Sequence, residues 1–262
     1  MIFKILIIIS ILLNIFFLYY INKKKIKKFI FTSKIKKIDA TDVHEIFKLN
    51  NISNNLSGPK KEVVVKSFCI STDNNIVGMT SDYEAWIISS LSKISKNIFE
   101  FGTCSGKTTY LMALNSSENS KITTITLNPD EALSFTKKTD DNDISFRNIM
   151  NESIYNKFLF SNTDVEKKID IIFQNSLEFD EKRFEKKMDL IFIDGGHTYS
   201  VVKNDTVKAF KMLNSSGIIL WHDYVPGKRS SRDVVKCIDE ISKSVKIQNI
   251  KNTSLCYYKK NN

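Results

Sequence analysis

MDLIFIDGGHTYSVVKNDTVKAFKMLNSSGIILWHDY, running from Met188 to Tyr224, holds a complete strand, helix and strand pattern. Leu190 to Ile193 is a short apolar run that stops at the turn residues Asp194-Gly195-Gly196. Val202, Thr206, Ala209, Phe210 and Leu213 then mark one face of a helix, and Ile218 to Trp221 is a second apolar run ending in His222-Asp223. Runs this short and continuously apolar suit strands buried on both faces of a parallel sheet.

Upstream, Asn97 to Phe101, Ile122 to Leu127 and Ile169 to Phe173 repeat the same kind of run. Ser81 with Glu84 forms a capping-box pattern, and Trp86, Ile87, Leu91 and Ile94 follow at helical spacing, which predicts a helix over 81–95. Asn128 reads as a cap, with Pro129 in the first helical position. Downstream, Arg232 to Ser242 carries Val234, Val235, Ile238 and Ile241 on one face. Val245 to Ile250 and Leu255 to Tyr258 flank a turn as a hairpin-like ending. Strands alternating with helices predict a doubly wound α/β sheet. Residues 139–168 read as an irregular or partly helical insertion.

The 262 residues are 42% hydrophobic and 26% charged, enough to bury a sizeable core and too apolar for disorder. The net charge of +10 is local: residues 1–40 hold nine lysines and one aspartate, leaving 30 basic against 28 acidic side chains. A nearly neutral body excludes a broad nucleic-acid surface. Ile5 to Ile21 has only Ser10 and Asn14 as polar breaks. At about 1.5 Å per residue such a helix just spans a hydrocarbon core of about 30 Å. Lys23, Lys24, Lys25, Lys27 and Lys28 follow it, which predicts an uncleaved single-pass anchor in a bacterial inner membrane with the body on the cytosolic side. The expected division is an anchor at 1–22, a basic juxtamembrane segment and linker at 23–59, and one domain at 60–262. Cys69, Cys104, Cys237 and Cys256 show no metal-ligand spacing and read as reduced thiols.

Two of eight glycines fall in IFEFGTCSGKTT, between a strand and the helix carrying Tyr110, Leu111 and Leu114. A phosphate-cradling P-loop would need glycine at position 101, which is Phe, although Gly106, Lys107 and Thr108 supply its second half. A dinucleotide fingerprint fails at Cys104. The remaining pattern, Glu100-Phe101-Gly102-Thr103-Cys104-Ser105-Gly106, resembles motif I of the class I S-adenosylmethionine-dependent methyltransferases. With Met188 to Tyr224 it is similar to the branch containing macrocin-type and sugar O-methyltransferases, over roughly residues 80 to 260.

That resemblance implies a Rossmann-like, doubly wound sheet of seven strands with the last two as an antiparallel hairpin, preceded here by one N-terminal transmembrane helix. It implies S-adenosyl-L-methionine as cofactor, with Glu100, Gly102, Thr103, Cys104, Ser105 and Gly106 around its methionine end and Asn175 and Ser176 near adenine. It also puts Asp194 beside the sulfonium. Carboxylates at neighbouring strand ends suit Mg²⁺ or another divalent cation, so Asp194 and Asp223 are the expected metal ligands. Methyl transfer to oxygen needs a hydroxyl deprotonated in line with the methyl group; His197 is the expected base and His222 the second candidate.

Thr126, a further expected cofactor-binding residue, departs from the family, which places there an acid that binds the ribose; either Asp130 or Glu131 substitutes, or Thr126 and backbone groups hold the ribose. Gly227 to Arg232 brings basic side chains to a helix start, either an anion site for an acidic or phosphate-bearing acceptor or a solvated charge cluster. The expected function is O-methylation of a sugar, a glycan precursor or another small molecule at the membrane face, with no nucleic-acid partner and the oligomeric state open. The alternatives are a P-loop-like nucleotide-binding protein and a membrane-tethered scaffold with a degenerate cofactor site.

Overall fold

In the computed structural model, which describes residues 9–21, 23, 33–39, 43–47, 63–66, 71–72, 75–76 and 80–260, the apolar runs become strands. In chain order the elements are α1 (residues 9–21), β1 (Lys37–Ile38), α2 (Val43–Phe47), the antiparallel pair β2 (Ser71–Thr72) and β3 (Asn75–Ile76), α3 (Asp82–Lys93), β4 (Asn97–Phe101), α4 (Lys107–Asn115) and β5 (Lys121–Thr126). There follow α5 (Pro129–Ser134), α6 (Asp143–Glu152), β6 (Ile169–Phe173), β7 (Met188–Ile193), α7 (Tyr199–Met212), β8 (Leu213–Trp221), α8 (Arg232–Ile241), β9 (Gln248–Ile250) and β10 (Cys256–Lys259).

The main sheet has the order β1-β9-β10-β8-β7-β4-β5-β6. β6, β5, β4, β7 and β8 run parallel, while β10 lies antiparallel to both β8 and β9. From β4 the chain builds outward through β5 and β6, then returns to build the other way through β7 and β8. The two directions part between β4 and β7, and in open α/β sheets ligands sit outside the strand ends at such a point. Side-chain alternation along each strand feeds two cores. Ile98, Leu190 and Phe192 face one with Ile87, Leu91 and Leu111; Phe99, Ile191 and Ile193 face the other with Val202, Trp221 and Ile238.

The capping box at α3 forms, with Ser81 Oγ accepting from the Glu84 amide at 3.3 Å and the Ser81 amide donating to Glu84 Oε2 at 3.0 Å. Asn128 accepts from the Asp130 amide, and Pro129 starts α5. Two expectations change. The sheet has eight strands, not seven, because β1 pairs in parallel with β9. The segment assigned to linker at 23–59 therefore contributes to the domain: Ile35, Ile38, Val43 and Phe47 are buried, which offsets the entropy of ordering it. Within 139–168, Asp143 to Glu152 forms a regular helix capped by Asn142.

No helix among the described residues is long and apolar enough to cross a membrane, so the expected transmembrane helix at 5–21 is not found there. The described part of α1 starts at residue 9, and residues 5–8 of that expectation lie outside the described residues. So do the breaker stretch at 50–59 and Cys69; Cys104, Cys237 and Cys256 are free thiols.

Candidate active site

The turn after β4 is set by backbone crowding. Gly102 has φ +95°, and a Cβ there would lie 2.4 Å from the Asp194 carbonyl oxygen and from Gly195 Cα. Only glycine lets the ends of β4 and β7 touch this closely. Gly106, at φ +80°, caps α4 against Phe160, where a Cβ would fall 2.7 Å from the ring.

The cleft beyond this turn has a floor of Gly102, Thr103 and Cys104, one wall of Thr126 and Gln174 to Ser176, and an opposite wall of Asp194 to Gly196. Phe135, Ile149 and Glu152 close it from the α5 and α6 side. The space it leaves free to water is about 60 Å³.

Of the residues expected around the cofactor, Gly102, Thr103, Cys104, Thr126, Asn175, Ser176 and Asp194 line this cleft, whereas Glu100, Ser105 and Gly106 do not. Glu100 is fully buried beneath the turn. Thr108 donates to its Oε1 at 2.5 Å, Thr124 donates to Oε2 at 2.8 Å, and Thr109 also donates to Oε2. Burial outweighs these hydrogen bonds and pushes the carboxyl up to about 7. There it ties β4 to α4 and β5.

Asp130 and Glu131 do not line the cleft either. The acids that join Asp194 there are Glu152 from α6 and Asp205 from α7. Burial pushes each up to about 7. Sequence reasoning missed both. Glu152 ends a helix inside the segment that carried no placeable pattern, and Asp205 looks like any polar residue of an amphipathic helix.

At the same sheet edge, β7 and β8 deliver four chemically active side chains. His222 Nδ1 lies 3.0 Å from Asp194 Oδ1, and its Nε2 faces Glu84 Oε2 at 3.6 Å. His197 Nε2 stands 3.6 Å from Asp194 Oδ1 and 3.4 Å from Asp223 Oδ2. Burial by itself would raise the Asp194 carboxyl, but the charges of the two imidazoles and their hydrogen bonds hold it at about 2. Burial would likewise lower His197; the negative charge of Glu152, with Asp194 and Asp223, raises it to about 9 instead. His222 is raised well above the ordinary range by Asp194 and Glu84.

These values change the role expected of His197. With a pKa near 9 it carries its proton at neutral pH and is an imidazolium among carboxylates, not a free base. His222 is wedged between Asp194 and Glu84, and Glu84 also accepts from the Ser254 amide at 2.6 Å. It ties α3, β8 and the β9–β10 turn together.

Asp194, His197 and Asp223 each offer a donor atom within 4.8 Å of the others, and the Nε2 atoms of His197 and His222 are buried without a hydrogen-bond partner. The donor set fits a divalent cation once His197 gives up its proton. Two carboxylates with an imidazole suit Mn²⁺, Fe²⁺ or Zn²⁺ better than Mg²⁺, which favours oxygen alone. The P-loop alternative fails on geometry: Lys107 Nζ donates to the Thr80 carbonyl at 3.0 Å and is buried away from any phosphate cradle.

The architecture and the cleft define an α/β Rossmann-like methyltransferase fold. Residues 99–224 match a family described as a methyltransferase domain. Among solved structures, the chain is similar to one from Staphylococcus aureus described as a "putative caffeoyl-CoA O-methyltransferase", at 20% identity and a TM-score of 0.51, covering 71% of this chain and 86% of that one. A Podospora anserina methyltransferase, PaMTH1, solved with S-adenosylhomocysteine, aligns at 13% identity and a TM-score of 0.50, covering 69% and 78%. No curated protein matches the chain.

Proposed function

We propose that the protein is an S-adenosylmethionine-dependent O-methyltransferase acting on a sugar, glycan precursor or other small hydroxylated molecule. One observation carries this: Asp194 both lines the glycine-turn cleft and belongs to the histidine and carboxylate cluster, so cofactor and proton-transfer groups share a wall. When bound, the cofactor's sulfonium supplies an electrophilic methyl group. Gly102 to Cys104 bind its amino-acid end through the tight backbone turn, and Asn175 and Ser176 stand where its base would be read. Glu152 and Asp205 supply the carboxylates that Thr126 lacks for the ribose hydroxyls.

The proton leaving the acceptor hydroxyl goes to Nε2 of neutral His197, with Asp194 and Asp223 setting the pH at which that atom is free. A divalent cation held by Asp194, His197 and Asp223 would take that nitrogen as a ligand and would polarise the hydroxyl in place of the imidazole base. The membrane expectation attaches to α1, whose large apolar side chains from Ile9 to Ile21 are 42–65% exposed on every side, and to the lysines after it. The corresponding place for the catalytic domain is the cytosolic face.

Calorimetry on the full chain with S-adenosylmethionine, S-adenosylhomocysteine and ATP, each with and without Mn²⁺, tests this. Binding of the two sulfur compounds without an ATP response is expected. Absence of both would overturn the proposal in favour of a scaffold.

A further inference from the structure

Beside the cluster runs a second, larger cleft of about 640 Å³, between Lys34 and one side of α8 along its length. That volume lies in the range of small-molecule sites. Six cations line it, Lys34, Lys228, Arg229, Arg232, Lys236 and Lys243, against two carboxylates. Both carboxylates are already engaged: Asp239 accepts from the Tyr224 hydroxyl at 2.7 Å, and Glu240 from the Tyr199 hydroxyl at 2.6 Å. The acid next in sequence to Arg232, Asp233, accepts from the amides of Asn142 and Tyr199 at 2.7 and 3.1 Å. Among the described residues no carboxylate oxygen lies within 4.0 Å of the charged nitrogens of Arg229, Arg232 or Lys236.

The cleft is also held in shape. The Arg229 carbonyl accepts from Asn142, the Ser230 carbonyl from Ser145, and Lys236 Nζ rests 4.1 Å from the centre of the Tyr199 ring. The Ser231 hydroxyl at the start of α8, 1% exposed, has no hydrogen-bond partner among the described residues, and Ser231 does not itself line the cleft. Lys228 joins the cleft to the cluster, standing 3.7 Å from Asp223 Oδ1. Asp223 in turn faces His197 Nε2 at 3.4 Å, so Lys228 lies between the cleft and the cluster.

We propose that this cleft binds the phosphate of a phosphate-bearing acceptor, with Arg229, Arg232 and Lys236 as its ligands. Guanidinium groups match phosphate oxygens two at a time, and these three exposed cations also border a neighbouring pocket that holds Asp140, Asp141, Asp143 and Asp233, so the phosphate would compete with those acids for them. The inference rests on the methyltransferase proposal and names its substrate class: a hydroxyl compound carrying phosphate, either a soluble phosphoester or the headgroup of an anionic lipid.

The test titrates full-length protein with inorganic pyrophosphate, with phosphatidylglycerol vesicles and with phosphatidylcholine vesicles. It compares wild type, the double variant Arg229→Gln/Arg232→Gln, and a control that loses the same charge at the exposed lysines of Lys167→Gln/Lys182→Gln. Pyrophosphate binding that weakens at least tenfold in the cleft variant and less than twofold in the control is the expected result. The same pattern with phosphatidylglycerol alone supports a lipid source. If the cleft variant binds both probes as the control does, the proposal is overturned, and any vesicle binding that survives belongs to α1. S-adenosylhomocysteine titrated into all three proteins separates the two claims: its failure to bind wild type sinks the methyltransferase proposal, whereas equal binding to all three leaves the phosphate result to stand alone. If the double variant unfolds early, Lys236→Gln carries the same comparison.

Discussion

Glu100 and Asp194 stand side by side at one sheet edge and do opposite things. Glu100 is the next-to-last residue of β4, and Asp194 follows the last residue of the adjoining β7, its amide donating to the Phe101 carbonyl at 2.9 Å. Glu100 meets three threonine hydroxyls and no cation, so burial dominates and its carboxyl rises to about 7. Asp194 meets two imidazoles, whose charges overcome burial and hold it at about 2. The same chemical type becomes a buried structural tie that titrates near 7 in one place and an anion facing the cleft in the other. Neighbours separate the two roles; position along the strand does not.

The largest expected effect is on the anionic side. Asp194→Ala should cut methyl transfer by about 10³-fold, since it removes the cleft's charge and the partner of two imidazoles; single-turnover rates check this. Glu100→Ala should leave the chemistry in place but cost about 3 kcal/mol of folding stability, by orphaning the buried hydroxyls of Thr108 and Thr109 while Thr124 keeps its bond to Thr103, as read by denaturant unfolding. If Glu100→Ala instead abolished cofactor binding in a fully folded protein, the contrast would be broken.

Acidity sharpens the comparison. A folded-state pKa of about 7 means that the stability Glu100 contributes is present below its ordinary 4.5 and is lost as pH rises through 7. Asp194, held at about 2, contributes stability above its ordinary 3.8 that is lost as pH falls through 2. Glu100→Gln should therefore flatten the stability curve between pH 4.5 and 7 while leaving the acid limb unchanged.

His197, raised to about 9, contributes stability that is complete below 6.5 and lost as pH rises through 9. Turnover that needs its neutral form should climb over the same interval. Glu152→Gln, which removes the largest charge that raises it, should move the imidazole titration seen by NMR to lower pH.

The smallest effect belongs to the glycine turn's lysine. Lys107→Ala should cost about 1 kcal/mol through the lost bond to the Thr80 carbonyl, and should change binding of neither ATP nor S-adenosylhomocysteine in calorimetry.

Much of the fold is legible along the chain because buried parallel strands are local signals. Asn97 to Phe101 and Ile169 to Phe173 are bounded in the structure as their apolar runs are bounded in the sequence. The glycine turn is legible for the same reason, since its backbone conformation is decided within a few residues. β1 is not legible. Two residues among lysines carry no period, and only the open edge of β9 makes them a strand.

The candidate site divides in the same way. The sequence alone determined an α/β sheet, a glycine turn at its centre, and Asp194, His197, His222 and Asp223 at neighbouring strand ends. These follow from hydrophobic period and turn chemistry, which act at short range. Tertiary structure alone decided which carboxylates face the cleft, that Glu100 turns inward while Glu152 and Asp205 arrive from helices, and that His197 holds its proton. Burial and charge are set by groups distant in the chain but within a few ångströms in space, and no local pattern encodes that environment.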